Sequence, residues 1–438
     1  KIYNKNMSEN WPLLLKNYEQ LRVKCAQYTP YPENGYTPFG RPLGEYIKYG
    51  YINLDKPSNP SSHEVVSWVK EILNRQKSYV VEKTGHSGTL DPQVSGCLVV
   101  CIDRATRLVK SQQGAGKEYI AILELDTLSK DNHISRDILE EAIRTLSGPL
   151  FQRPPEASAV KKELRIRSIY SSELVEYDVE KGLAVLRVRC EAGTYIRTLC
   201  SHLGLMLGTG GKMAELRRIT SGSQSEKVGL NTMHDLLDAV YLYNEDGAED
   251  YLRSVIQPLE RLLVNFKRIV VKDTCVNAIC YGAPLMVSGV LRYDASIENA
   301  DQVVLITTKG EAIAIGFAVL SGNQLAFADR GICAKTKRVI MDQDVYPKCW
   351  GKGPVASRKK ELIAAGMLDP DGTPNEYTPE DWIALYADFG GNRWFFEKKS
   401  TFLSEIGVKR KPPSSLSSHS VVDDDDVDEN SDKKKKKK

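Results

Sequence analysis

Six consecutive apolar residues at positions 97–102 (CLVVCI) constrain the fold more than any other segment of the chain. A short, continuously apolar run is typical of a strand that is buried on both faces. The loop before it, from Gly85 to Gly96, is rich in glycine and hydroxyl side chains. We therefore predict a buried strand that is entered through a polar, glycine-rich loop.

Helical patterns flank this run. Ser61 and Ser62 can cap a helix whose apolar positions keep a 3.6-residue period: Val65, Val66, Val69, Ile72 and Leu73. The same period predicts an amphipathic helix at residues 138–146 and another at residues 196–207, which ends at a cluster of glycines.

Strand patterns are interleaved with these helices. Residues 119–125 and residues 183–190 are strand candidates, and the second run alternates apolar with charged side chains. Beyond residue 266, short β-rich runs separated by glycine predict a small β barrel with strands at residues 268–271, 303–307, 311–319 and 325–329. The predicted class is α+β or α/β.

Composition excludes several classes of protein. With 438 residues the chain is longer than one compact domain, and 41% hydrophobic residues exclude a mostly disordered chain. Nine cysteines without paired CxxC spacing predict buried free thiols in a reducing compartment. No stretch approaches 18 uninterrupted apolar residues, so we expect a soluble intracellular protein. The net charge of +3 is only a weak indication of a polyanionic partner.

The loop at residues 83–96 (KTGHSGTLDPQVSG) is the first candidate for chemistry. Pro92 biases Asp91 away from α geometry, and Gly88 and Gly96 permit a ligand to approach the backbone closely. Such a loop can present the carboxylate of Asp91 into a cleft. An Asx turn that closes a strand connection is the alternative interpretation.

Other chemistries fit the chain poorly. His86 and Ser87 lie near Asp91, but the absence of a G-x-S-x-G elbow disfavours a Ser-His-Asp hydrolase. The six histidines form no HxxH or HExxH set, so no metal site is predicted. The glycines before Lys212 match neither phosphate-loop pattern, and a helix end explains them better.

Basic residues supply the remaining candidates. Arg197 lies off the apolar face of its predicted helix, where it can pair with a carboxylate in a cleft or be solvated. Lys212, Arg217 and Arg218 form a cluster that can contact phosphate or line a solvated helix face. The six terminal lysines indicate targeting or RNA contact, with simple solubility as the alternative.

Four ordered motifs resemble the TruB family of pseudouridine synthases, and within it the branch that works in H/ACA ribonucleoproteins. The motifs are residues 50–57 (GYINLDKP), 85–92 (GHSGTLDP), 116–119 (GKEY) and 193–199 (GTYIRTL). A PUA domain, which binds guide RNA in this family, is resembled by residues 276–284 (VNAICYGAP), 289–292 (GVLR) and 307–311 (TTKGE). The resemblance extends over most of the chain.

The resemblance implies an α+β fold. It consists of a pseudouridine synthase domain with a mixed or antiparallel sheet and flanking helices, a small β-barrel PUA domain and a disordered C-terminal tail. The implied boundaries are an N-terminal extension on the PUA domain (1–48), the catalytic domain (49–262), the PUA domain (266–342), a C-terminal extension on the PUA domain (343–400) and a low-complexity tail (401–438).

The resemblance also implies site residues. Asp91 falls on the catalytic aspartate, Tyr119 on the active-site tyrosine, and Arg197 on the arginine that keeps this aspartate ionised against desolvation. The implied substrate pocket consists of His86, Gly88, Thr89, Leu90 and Leu199. The implied RNA-binding residues are Lys56, Lys117, Lys212, Arg217, Arg218, Gly282, Ala283, Pro284, Leu291 and Lys309.

The implied reaction converts guide-selected uridines of ribosomal RNA to pseudouridine, without a cofactor or a metal. The implied partners are an H/ACA guide RNA, the target RNA, three small core proteins and, in some lineages, telomerase RNA, and the implied location is the nucleus and nucleolus. A guide-RNA scaffold with secondary catalysis is the alternative function. A methyltransferase with a PUA domain is disfavoured, because no glycine-rich nucleotide-binding turn is evident.

Overall fold

A computed structural model of the chain describes residues 12–26, 28–126, 133–155, 161–349, 354–370, 372 and 374–386. The chain divides into two compact units, Lys1–Trp350 and Gly351–Lys438.

All described strands lie in the first unit. They are β1 (Arg22–Val23), β2 (Gly50–Lys56), β3 (Thr84–His86), β4 (Ser95–Ile102), β5 (Lys117–Leu125), β6 (Gly148–Gln152), β7 (Arg165–Asp178), β8 (Leu183–Cys190), β9 (Gly211–Ser221), β10 (Gln224–Ser225), β11 (Gln257–Pro258), β12 (Lys267–Val271), β13 (Leu285–Met286), β14 (Val290–Tyr293), β15 (Gln302–Ile306), β16 (Ala312–Ala318) and β17 (Ile332–Val339).

The α-helices of the first unit are α1 (Leu43–Lys48), α2 (Ser62–Leu73), α3 (Val109–Gln113), α4 (Arg136–Thr145), α5 (Ile196–Leu207), α6 (Met233–Asp246), α7 (Asp250–Val255), α8 (Asp273–Cys280) and α9 (Gly322–Phe327). Those of the second unit are α10 (Pro354–Ala364) and α11 (Glu380–Tyr386).

The larger sheet has ten strands within the described residues. Its order is β11-β2-β4-β9-β5-β8-β7-β6, and β3 and β10 pair with β4 and β9 at the side of this path. Only the short β4–β9 contact is parallel among these pairs, so the sheet is mixed, as predicted. Strand β9 therefore lies between β4, which follows the loop that carries Asp91, and β5, which carries Tyr119.

Strand β4 confirms the prediction from the apolar run. Its alternate side chains enter two different cores, because successive residues of a strand point to opposite faces. Leu98 and Val100 belong to the core beneath α2 and α6, and Val99 and Cys101 belong to the core between the two sheets. All are fully buried.

The predicted helices begin and end where the local signals indicate. Ser61 caps α2 by accepting a hydrogen bond from the Glu64 amide, and the Glu64 carboxylate reaches back to the Ser61 amide. Helix α5 ends at Gly208, whose φ of 72° is the left-handed geometry that glycine tolerates best. Strand β8 alternates as predicted, with Leu186 and Val188 buried and the arginines exposed.

The smaller sheet has the order β1-β14-β12-β15-β16-β17-β13 and encloses its own apolar core together with α8. Strands β12, β15 and β16 confirm three of the predicted barrel strands. The prediction of a strand at residues 325–329 was wrong, because Leu325 lies in helix α9. Ser321 caps that helix in a capping box with Gln324, and this local signal outweighs a short apolar run.

The N-terminal segment contributes to the core of the first unit. Strand β1 pairs with β14 of the smaller sheet, and Leu14 and Leu21 are buried in the core between the two sheets. Its composition had suggested a surface wrap. That interpretation was incomplete, because Leu14 and Leu21 are only 1% and 4% exposed.

The second unit has a small core of Leu362, Leu368 and Trp382. Trp350, Trp394 and the tail predicted for residues 401–438 lie outside the described residues. Within the described part of the chain, none of the helices has both the length and the apolarity needed to cross a membrane.

Candidate active site

The loop that carries Asp91 connects β3 to β4, and we call residues 87–94 the catalytic loop. Two side chains from the β2–α2 region bond to its backbone. The Ser62 hydroxyl accepts from the Leu90 amide at 2.8 Å and donates to the Leu90 carbonyl at 2.9 Å. The Lys56 ammonium donates to the carbonyls of Pro92 and Val94 at 3.0 and 2.9 Å. The backbone is thus held on both sides of Asp91.

Arg218 holds the catalytic loop from below. Its guanidinium is 1% exposed and donates to the carbonyls of Cys97 and Gly88 at 2.7 and 3.2 Å. Gly96 permits this arrangement: its φ is 103°, and a Cβ there would collide with the backbone of Arg218. Close contact between β4 and β9 therefore depends on that glycine.

Asp91 and Arg197 meet although 106 residues separate them in sequence. The Arg197 guanidinium donates to the Asp91 carboxylate at 2.5 Å. The Arg197 side chain is 39% exposed and the Asp91 side chain is 55% exposed. Asp91 is exposed at the tip of its loop, so little desolvation opposes this ion pair. The carboxylate is accessible to a substrate while Arg197 fixes its direction.

Tyr119 lies on β5 directly opposite Arg218 of β9. Its half-buried ring packs against two neighbouring apolar cores, the one beneath α2 and α6 and the one that contains α4 and α5. Burial raises the pKa of Tyr119, the Arg218 guanidinium opposes this rise, and the charge of Asp91 adds to it. The hydroxyl therefore keeps its proton at neutral pH.

The predicted pocket residues have different surroundings. His86 is half-buried on β3, and its Nδ1 accepts a 3.3 Å hydrogen bond from the Gly88 amide. Burial and then the Arg218 charge lower the pKa of His86, which favours neutral imidazole. Thr89 is exposed beside Asp91.

Leu90 and Leu199 are 3% and 2% exposed and belong to the apolar cores on either side of the site. Their side chains pack in these cores and stabilise the backbone that carries the site. Ser87, considered above for a hydrolase triad, is also fully buried, and its hydroxyl lies 3.3 Å from that of Ser221.

Three cations predicted to bind RNA are buried instead. Lys56 and Arg218 hold the catalytic loop, and Lys117 donates to the carbonyls of Gln112, Gln113 and Ala115 at 2.6–3.0 Å. Burial lowers the pKa of Lys117 to about 8. Direct RNA contact was the wrong interpretation for these three residues, because their charges face the backbone of the protein itself.

Lys212 and Arg217 lie on strand β9, so the helix face considered for them was wrong. Lys212 is exposed and pairs with Glu124 at 2.9 Å. Arg217 donates to both oxygens of Asp55 at 3.0 and 3.1 Å and to Glu226 at 3.0 Å. Of the two side chains, Lys212 is the more exposed, at 61% against 36% for Arg217.

The residues predicted to bind RNA on the smaller sheet also differ in exposure. Gly282 is exposed, whereas Ala283 and Pro284 are partly buried beside it. Leu291 is 3% exposed and cannot offer a surface to RNA. The Lys309 ammonium donates to the carbonyls of Pro32, Asn34 and Gly35 at 2.7–3.0 Å, so it ties the N-terminal segment to this sheet.

Sequence reasoning did not single out Ser62 as a site residue. The available signal was a pair of serines before α2, where one is sufficient as a cap. In the structure Ser61 is the cap and Ser62 bonds to the catalytic loop.

Four family models match consecutive parts of the chain. They are the DKCLD (NUC011) domain at residues 8–66, the TruB family pseudouridylate synthase N-terminal domain at residues 75–196, the tRNA pseudouridylate synthase B C-terminal domain at residues 197–264 and the PUA domain at residues 267–340.

Known proteins and structures match over most of the chain. A Dictyostelium discoideum protein named probable H/ACA ribonucleoprotein complex subunit 4 is 59% identical over 384 residues, which cover 88% of this chain and 69% of the relative. A solved H/ACA RNP bound to a substrate RNA containing 2′-deoxyuridine has a chain that is 39% identical, with a TM-score of 0.67 and coverage of 75% of this chain and 97% of that one. A solved Cbf5-Nop10-Gar1 complex has a chain that is 41% identical, with a TM-score of 0.67 and coverage of 75% of this chain and 96% of that one.

Proposed function

The chain belongs to the TruB family of pseudouridine synthases, in the group of H/ACA ribonucleoprotein subunit 4 proteins, and we propose that Asp91 attacks the target nucleotide in its reaction. It is the catalytic subunit of an H/ACA ribonucleoprotein and isomerises uridine in RNA to pseudouridine. The observation that carries the role of Asp91 is its carboxylate at an exposed loop tip, 2.5 Å from Arg197, on a backbone that is held on both sides.

The chemistry requires a well-placed group more than a strong acid or base. The bond between the ribose C1′ and the uracil N1 breaks, the detached base turns, and C1′ bonds to C5. The proton on C5 is lost to solvent and N1 takes up a proton, so the product is an isomer of the substrate. A carboxylate can bond to the sugar or the base, or stabilise positive charge on the ribose as the first bond breaks. Atoms balance without a cofactor.

Arg197 and Tyr119 have supporting roles in this proposal. Arg197 orients the Asp91 carboxylate through a charge-assisted hydrogen bond. Tyr119 keeps its proton at neutral pH because burial raises its pKa, which makes it a poor general base. Of the two roles open to an active-site tyrosine, stacking on the base therefore fits better than removing a proton.

The uridine must leave the RNA stack to reach Asp91, which costs a few kcal/mol and is easiest for an unpaired nucleotide. We propose that a guide RNA selects the uridine by pairing around it and that the PUA domain binds this guide. Small core proteins complete the particle, by analogy with the related Cbf5-Nop10-Gar1 complex. Ribosomal RNA is the proposed main target, telomerase RNA a further bound RNA, and the nucleolus the proposed location.

The reconstituted particle can test this function through release of tritium from [5-³H]uridine in a target RNA. We expect release with a matched guide RNA and none with a guide whose pairing arms are scrambled. Equal binding of both guides must be confirmed first. A correctly assembled particle that releases no tritium with the matched guide would support the alternative, a guide-RNA scaffold.

A further inference from the structure

The catalytic loop takes its position from the segment that joins β2 to α2, residues 56–62. Lys56 at the start of this segment donates to the carbonyls of Pro92 and Val94. The Asn59 amide donates to the Pro92 carbonyl at 2.8 Å, and Asn59 has a φ of 92°, a geometry that is rare outside glycine. Ser62 ends the segment. One short connection thus acts as a template for the loop.

Ser62 bonds to the residue that directly precedes Asp91. It is the first residue of α2, it is 1% exposed, and its hydroxyl bonds to both polar groups of Leu90. The Leu90 side chain is anchored in the core beneath α2. The residue just before Asp91 is therefore fixed through its amide, its carbonyl and its side chain.

The neighbouring serine has a different task. Ser61 accepts from the Glu64 amide at 3.2 Å and completes the capping box of α2. Its contacts stay within the helix terminus. Of these two adjacent serines, Ser61 thus stabilises the helix, whereas Ser62 contacts the loop.

We propose that Ser62 is a positioning residue for Asp91, holding the Leu90 peptide so that the Asp91 carboxylate faces both Arg197 and the target nucleotide. This inference rests on the catalytic role proposed for Asp91. Without the hydroxyl, the buried Leu90 amide and carbonyl lose a partner and the loop gains freedom to shift. A displacement of about 1 Å at a reacting group is enough to slow a reaction on the order of a hundredfold.

Ser62 is a cleaner probe than the two buried cations. Lys56 also donates to the carbonyl of Pro57, and Arg218 also donates to the carbonyl of Cys97. Replacing either cation would disturb the sheet as well as the loop. Both described hydrogen bonds of the Ser62 hydroxyl go to Leu90.

The test compares Ser62→Ala with Ser61→Ala in the reconstituted particle. Pseudouridine formation is followed under single-turnover conditions with saturating particle, and the affinity for target RNA is measured separately. We expect Ser62→Ala to lower the single-turnover rate constant about 10- to 100-fold with unchanged RNA affinity. Ser61→Ala should lower the melting temperature about as much as Ser62→Ala does. It should change the rate constant by about twofold or less.

Hydrogen–deuterium exchange supplies a readout that general destabilisation would not reproduce. Exchange of residues 87–94 should accelerate in Ser62→Ala and stay unchanged in Ser61→Ala. Ser62→Cys replaces the hydroxyl with a slightly larger thiol that is a weak donor and acceptor, so it should have an intermediate rate constant. It also carries the test if Ser62→Ala does not assemble.

Asp91→Asn in the same series separates the two proposals. If Asp91→Asn is inactive and the Ser62 variants match Ser61→Ala in rate constant and exchange, Ser62 is structural and the positioning role is overturned. If Asp91→Asn retains activity, the catalytic assignment fails, whatever the Ser62 variants do.

Discussion

Buried cations are stabilised differently beneath the catalytic loop and at the joint between the N-terminal segment and the smaller sheet. Beneath the loop, Lys56, Lys117 and Arg218 bond to backbone carbonyls. At the other place, which we call the N-terminal joint, Arg41 forms two hydrogen bonds with Glu260 at 2.6 and 3.0 Å and lies 3.7 Å from Glu311. All three joint residues are buried.

The difference has consequences for charge. Carbonyl dipoles hold a cation without cancelling its charge, so the field beneath Asp91 remains positive and favours negative charge at the site. The joint places two carboxylates beside one guanidinium. Burial raises the pKa of Glu311 to about 7, and Arg41 only partly offsets the effect. The joint should therefore respond to pH near neutrality through a carboxyl group.

The largest effect on stability is expected from Arg41→Met at the N-terminal joint. It leaves the buried Glu260 carboxylate without its cation, which typically costs about 3–5 kcal/mol of unfolding free energy. Arg136→Met is the matched control, because Arg136 pairs with Glu140 at 2.7 Å on the surface, where about 1 kcal/mol or less is expected. Denaturant unfolding measures both. Equal losses would contradict the distinction between the buried and the exposed pair.

Glu311→Gln should remove a pH dependence of stability. The folded carboxyl keeps its proton up to about pH 7, whereas the unfolded chain releases it near the usual 4.5. The folded state binds more protons between these values, so unfolding free energy falls as pH rises, by up to about 3 kcal/mol from this group. Unfolding at pH 5, 6 and 7 should show a flatter slope for the variant. An unchanged slope would contradict the raised pKa of the buried Glu311 carboxyl group.

Arg197→Met should act on the reaction rather than on stability. The Asp91–Arg197 pair is half exposed, so little stability depends on it, but the carboxylate loses its orientation and the rate constant should fall about 100-fold. Arg187→Met is the matched control, because Arg187 pairs with Glu118 at 2.7 Å on the larger sheet, in a pair that is also partly exposed. Single-turnover assays of both variants decide. Similar rate constants for Arg197→Met and Arg187→Met would contradict a role of Arg197 in the reaction.

The smallest effect is expected from Lys212→Ala, the accessible cation of β9. Its loss should weaken RNA binding uniformly and lower the slope of log affinity against log salt by about 1 if the ammonium contacts phosphate. Lys181, exposed and paired with Asp178 in the turn before β8, supplies the control Lys181→Ala. Titrations at several salt concentrations measure both slopes, and identical slopes would exclude Lys212 from the RNA interface.

Sequence reasoning succeeded where the signal is local. The cap and period of α2, the apolar run of β4 and the alternation of β8 each predict an element from adjacent residues. It failed at α9 because a run of a few apolar residues fits both a strand and a helix. The Ser321–Gln324 capping box was the signal that distinguishes them.

The site required more than local signals. A lysine or arginine is usually exposed, so nothing in the sequence places Lys56, Lys117 and Arg218 beneath the loop; only the register of β2, β4, β5 and β9 does so. The approach of Asp91 to Arg197 came from the family resemblance, since spacing alone left both with ordinary alternatives.

Asp91→Asn in the reconstituted particle tests the central claim most directly. Asparagine keeps the size of the side chain and an oxygen that can accept from Arg197, but it is not a carboxylate nucleophile. Tritium release should fall on the order of 10⁴-fold or more, with guide and target RNA bound as tightly as by the wild type. A rate within about tenfold of the wild type would contradict the assignment of Asp91 as the attacking group.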